Sequence, residues 1–196
     1  MAIRRFSTAE PGVKSNKFWD QDTQQGALVP IASVTVTGAT DTSMGFANIP
    51  QIYQDLMIVI SSRRTDAVTE GTQFFYSYAG TIASITKLTG DGASASSSRN
   101  TGQNALFVGP YPGASAATGV FGTNIIYVFN YSNTSIFKNV ITKSASDRNG
   151  GGQAEISVGL LRDTSAMTSC GVSTYNASVY YAPGSTATLY GIKAGA

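Results

Sequence analysis

FANIPQIYQDLMIVISSRR, residues 46–64, is the stretch whose reading decides the fold. Within it, Leu56-Met57-Ile58-Val59-Ile60 is the longest unbroken aliphatic run of the chain. That is far short of the roughly 20 apolar residues a membrane-spanning helix needs. Pro50 is barred from a helix interior and biases Ile49 towards extended backbone. Bounded by Pro50 and by Ser61-Ser62-Arg63-Arg64, the run reads as a strand buried on both faces. Residues 54–63 are therefore expected to form the central strand of a sandwich, fed by a turn at 48–52.

Outward from that strand the text alternates strand and turn. Residues 31–37 place Val34 and Val36 on one face and Thr35 and Thr37 on the other, and Met44 and Phe46 alternate with Gly45 and Ala47. Phe74, Tyr76 and Tyr78 share a face opposite Phe75, and Ile82, Ile85 and Leu88 fit a short strand ended by Gly90-Asp91-Gly92. Residues 90–104, GDGASASSSRNTGQN, read as the most polar and flexible loop of the body. A brief strand at 105–108 follows, and then a second loop at 109–119 in which Tyr111, between Pro110 and Pro112, is the ring expected to be exposed. Residues 122–131, 137–146 and 153–162 are strong strand patterns, the last aligning Ile156, Val158 and Leu160. Weaker strands at 167–174 and 178–181 precede a closing one at 186–193. About ten short strands with Gly, Asn, Ser and Asp turns and no helical periodicity indicate an all-β fold. Connections long enough to cross between sheets, at 90–104 and 109–121, favour a jelly-roll-like antiparallel β-sandwich over a meander.

Residues 1–26 differ from this body, which occupies 27–196. Pro11-Gly12 breaks a segment with neither strand nor helix period, and four basic residues against Glu10 give the first 17 residues a formal charge of +3, above the +2 of the whole chain. A frayed terminus is one reading. Phe18 beside Trp19, the only tryptophan, with Phe6 upstream, favours an extended arm anchored by aromatic side chains on a neighbouring subunit. Arg4, Arg5, Phe6, Lys14, Lys17, Phe18 and Trp19 are the candidate partner-binding residues, and Arg99 and Tyr111 are candidates for a surface recognition loop. No apolar stretch follows Arg4-Arg5, so a secretory signal is not expected, and synthesis in the cytosol is.

The composition limits the chemistry. Histidine is absent, which removes the commonest general base and metal ligand near neutral pH. The lone Cys170, among small and β-branched neighbours, reads as a buried structural thiol. Only 12% of residues are charged, against about 25% in an ordinary globular domain, which fits either a weakly charged sandwich or a surface that meets other protein surfaces. Asp66 with Glu70, or Asp147 with Asp163, could meet as a glycosidase carboxylate pair, but turn and strand-end roles fit their settings better. Gly150-Gly151-Gly152 lacks the lysine and helix of a phosphate loop. No catalytic, metal or cofactor residue is assigned, and the electrically flat body makes nucleic acid an unfavoured partner. Ten tyrosines leave a sugar-stacking surface open.

Several segments resemble a family of tailed-bacteriophage virion proteins. Residues 46–64 are similar to its F-x-x-I-P-x-x-Y-x-x-L opening, and GSTATLYGIK at 184–193 to its G-S-T-x-x-L-Y-G-I-K ending. VGLLRDTSAMTS at 158–169, TNIIYVFNYSNTSIFKNVITKSASD at 123–147 and MAIRRFSTAEPGVKS at 1–15 carry looser likenesses in the same order. The resemblance implies a non-enzymatic structural protein of the virion with a jelly-roll-like body. Its expected partners are other virion proteins, either a major capsid protein or tail proteins. It implies a capsid decoration or cement protein, or instead a tail or fibre component that contacts the host surface through a receptor or glycan. A homo-oligomer is expected, a trimer first, with no membrane association.

Overall fold

The structure, a computed structural model, describes residues 27–67, 70–76, 83–174, 176 and 178–193. The expected arm at 1–26, with all seven of its candidate residues, lies outside them. Among the described residues there are twelve strands and no helix. They are β1 (Leu28–Thr35), β2 (Ser43–Phe46), β3 (Asp55–Ser62), β4 (Glu70–Tyr76), β5 (Ala83–Gly90) and β6 (Ala95–Gln103). The rest are β7 (Leu106–Tyr111), β8 (Gly122–Phe129), β9 (Lys138–Asp147), β10 (Gly152–Leu161), β11 (Cys170–Ser173) and β12 (Thr186–Ile192). They form two antiparallel sheets that pack as a sandwich, an eight-stranded one in the order β1-β12-β3-β8-β9-β10-β5-β6 and a four-stranded one in the order β2-β11-β4-β7.

The quoted stretch does what its composition requires. Pro50 feeds a turn, Asp55 Oδ1 accepts from the Asn130 amide at 2.7 Å, and β3 runs between β12 and β8. Leu56, Ile58 and Ile60 face the small sheet, where they meet Ile126, Val128, Ala187 and Leu189 of the flanking strands and Met44, Phe74, Leu106 and Val172 from across the sandwich. Met57, on the opposite face, is also buried. Each such side chain contributes about 1.5–3 kcal/mol by leaving water, and the pattern makes β3 an interior strand, buried throughout towards the small sheet and at Met57 on its outer face.

Three expectations need correction. Residues 90–104 are not a crossing loop. The Asp91 carboxylate accepts from the Ala93 and Ser94 amides at 2.9 and 2.7 Å, Gly92 takes a φ of +91°, and the chain reverses into β6, paired along β5. A strand of sequence ASSSRNTGQ has little apolar burial to hold it. The β5 edge supplies the backbone partners, and tertiary templating outweighs intrinsic preference. Residues 178–181 form no strand, only an isolated bridge between Arg64 and Tyr181. Finally, Tyr111 is not an exposed loop ring: β7 runs on to include it, and it is fully buried.

Candidate interaction site

The segment that follows Tyr111 is held by two arginines at the end of β3. Arg63 donates to the carbonyls of Ala114, Ala116, Ala117 and Val120, at 3.3, 2.8, 2.7 and 3.0 Å, and so sets the path of the segment between β7 and β8. Arg64 is almost fully buried, pairs with Asp66 (Nη2 to Oδ2, 2.6 Å) and stands 5.4 Å from the Tyr111 ring centroid. Tyr111 in turn packs on Tyr181 at 5.6 Å. Guanidinium and ring quadrupole attract, and the Asp66 carboxylate keeps the charge of the buried arginine paired. Burial, with Tyr111 alongside, holds the Tyr181 phenol well above its ordinary range. Asp66 is thereby committed to Arg64. Asp147 and Asp163 hold turns through the amides of Asn149 and Ser165.

Arg99 lies on β6, exposed, opposite Thr86. Tyr111 is buried between the sheets, so the structure does not bring these two candidates into one surface. Burial pushes the Cys170 thiol up to about 12, too high to supply a thiolate near neutral pH. Among the described residues, no group of three His, Cys, Asp or Glu could hold a metal ion.

The surface that does stand out was not picked out in the sequence. It is the outer face of the eight-stranded sheet, which the small sheet does not cover. Alternation along the paired strands places Tyr190, Met57, Tyr127, Ile141 and Val158 in one row across β12, β3, β8, β9 and β10. A second row holds Val59, Ile125, Lys143, Ile156 and Leu88. Ile156 and Leu88 are directly opposed and 52% and 56% exposed, and Val158 is 49% exposed. Tyr127 and Phe129 stack at 6.5 Å on the same face. The inner face of β10 is the reverse: Glu155, Ser157 and Gly159 point into the sandwich. Glu155 accepts from Thr89 at 3.0 Å and pairs with Lys87 at 3.3 Å, and Thr142 bonds Ser157. Gly159 lies there because a Cβ would come within 2.6 Å of Leu106, and Gly109, at a φ of +116°, faces Ser144 and Asn124 with no room for one.

The alternation at 153–162 was legible. Its sense was not, because an aliphatic row signals a face hidden from water without saying which layer hides it. Exposed aliphatic side chains set side by side, as Leu88, Ile156 and Val158 are, form the kind of patch through which proteins bind one another or a membrane. Among the described residues no helix is long and apolar enough to cross a membrane. Comparison of the chain with protein-family models, with curated proteins and with solved structures finds no match.

Proposed function

We propose that this chain is a non-enzymatic structural protein of a tailed-bacteriophage virion, a capsid decoration or cement protein first, working through protein–protein contact. The observation that carries the reading is the sparsely charged, largely aliphatic outer face beside Tyr127, on a sandwich whose other large surface is already closed by the small sheet. Strand order adds support. Without the β5–β6 and β9–β10 pairs, eight strands remain in the orders β1-β12-β3-β8 and β2-β11-β4-β7. Successive strands then pass between the sheets, save β4 and β7, which pair within the small one, an order like that of a jelly roll, which recurs in viral capsid and lectin domains. The likeness of fold is analogy, and the site argument rests on the face. In this reading residues 1–26 attach the protein to a neighbouring virion subunit, with Phe6, Phe18 and Trp19 as anchors, and the copies assemble as a homo-oligomer.

The polar edge strand β6, exposed along nearly its whole length and carrying Arg99, favours the tail or fibre reading, in which it touches a host receptor or glycan. Localisation in purified particles separates the two, and deletion of residues 2–26 tests the arm. A cement protein is expected on the head, its loss lowers the heat tolerance of full particles, and the deleted form no longer attaches. A truncated protein that still decorates particles contradicts the arm, and adsorption blocked by purified protein moves the function to the host surface.

A further inference from the structure

We infer that a second copy of this chain packs face to face on the outer side of the eight-stranded sheet, about a two-fold axis passing over Tyr127. The inference goes beyond the virion reading and does not depend on it.

Size is the first argument. The six strands from β12 to β5, about 4.8 Å apart and rising about 3.3 Å per residue over some seven residues, make a face of roughly 29 by 23 Å. That is on the order of 700 Å² before side-chain relief, near the ~800 Å² per partner of a standard interface. A two-fold contact hides the same aliphatic row of both copies at once, because each supplies what the other needs.

Charge placement is the second argument, and it is specific. On these six strands the outward-pointing charges are Asp55 and Lys143, with Asp147 farther out at the β9 turn; the Asp55 and Asp147 carboxylates each also accept from a turn amide, those of Asn130 and Asn149. Tyr127 is opposite Met57 on one side and Ile141 on the other. Asp55 lies two residues before Met57 and Lys143 two residues after Ile141. Since β3 and β9 are both antiparallel to β8, they run the same way. Asp55 and Lys143 therefore sit at equal displacements on opposite sides of Tyr127. A two-fold axis in the contact plane, through Tyr127 and perpendicular to the line joining them, lays Asp55 of each copy on Lys143 of the other. The same rotation brings Val158 of each copy towards Phe129 of its mate and crosses the strands steeply, within the range of orthogonal sheet packing. The acid and the base thus fix register and orientation, while the aliphatic area drives association.

The test uses purified full-length chain, with mass measured by sedimentation velocity over a range of concentrations. Wild type is expected to reach twice the chain mass. Lys143→Asp and Asp55→Lys each set like charges against each other twice, so each alone is expected to run as single chains. Their equimolar mixture restores both pairs and is expected to recover the double mass. Because Asp55 also holds the Asn130 amide, Asp55→Lys could unfold the turn. Val158→Glu, a change at a half-exposed position, is the independent variant, expected to weaken pairing at least tenfold with an unchanged β-sheet circular dichroism spectrum. Wild type at single mass throughout overturns the proposal, as does a Lys143→Asp chain that pairs like wild type. So does a folded mixture that fails to recover the double mass. A single-mass wild type whose melting temperature falls on Val158→Glu assigns the face to residues 1–26 instead and equally overturns it. These outcomes are read on purified chain, so they are independent of whether the protein attaches to a particle.

Discussion

β3 and β10 lie in the same sheet, yet their faces have opposite histories. In β3 the residues towards the small sheet are Leu56, Ile58 and Ile60, and Met57 on the other side is buried too. In β10 the residues towards the small sheet are Glu155, Ser157 and Gly159, while Ile156 and Val158 stand half in water. The small sheet explains the inner half of the difference. Over β9 and β10 it presents β7, whose Leu106 and Gly109 come so close that only small side chains fit beneath. Close backbone approach leaves room for Ser144, Ser157 and Gly159 but not for a leucine layer. Within the described residues no second layer lies over the outer half. On the pairing inferred above, an aliphatic alternation records what is dry in the assembly, which need not be what is dry in a single copy.

That contrast can be broken at several points. The largest effect belongs to the β3 core, where Ile58→Ala is expected to cost about 2–5 kcal/mol in denaturant unfolding. The matching change on the other strand, Ile156→Ala, is expected to cost well under 1 kcal/mol under dilute conditions, as a half-exposed site should. Equal losses would remove the distinction between the two faces. Next comes the polar inner face of β10. Glu155→Gln weakens a buried carboxylate bonded by Thr89 and Lys87, and about 1–2 kcal/mol is expected to go, checked by the same unfolding curves.

Cys170 sharpens the picture of the core by its titration. Its folded pKa, raised to about 12 from an ordinary 9.0, means the unfolded thiol ionises first. The contribution is fully present below pH 9 and is lost as pH climbs towards 12. Stability measured across that window is expected to fall less steeply in Cys170→Ala than in wild type. At pH 8 a thiol reagent is expected to label the protein only after unfolding. The smallest effect lies at the β5–β6 turn. Three hydrogen-bond donors hold the fully exposed Asp91 carboxyl below its usual pKa, so its help is present above the unfolded value of 3.8 and fades as pH falls through the folded one. Asp91→Ala is expected to speed amide exchange in β6 at neutral pH while leaving β3 unchanged.

Much of this was readable from residue order. Pro50 and the aliphatic run fixed β3, the alternations at 122–131 and 137–146 fixed β8 and β9, and the crowd of small neighbours around Cys170 fixed its burial. What failed did so for stated reasons. The stretch ASSSRNTGQ carries no strand signal because its strand is held by β5 and not by its own side chains. Tyr111 looked exposed because flanking prolines suggest a loop, whereas Arg64 and Tyr181 supply a buried seat for the ring. The outer face escaped notice because register with neighbouring strands, which no single strand encodes, is what joins Tyr127, Ile141 and Val158 into one row.

The most direct test of that row as a contact surface is hydroxyl-radical footprinting of the full chain across a dilution series. Leu88, Tyr127, Phe129, Ile156 and Val158 report the outer face, and Ile58 is the internal control. Tyr127, Phe129, Ile156 and Val158 are expected to be protected at high concentration and to become reactive together on dilution, with Ile58 protected throughout and Leu88, near the rim, changing least. Reactivity of the outer row that is high and unchanged at every concentration would contradict the account.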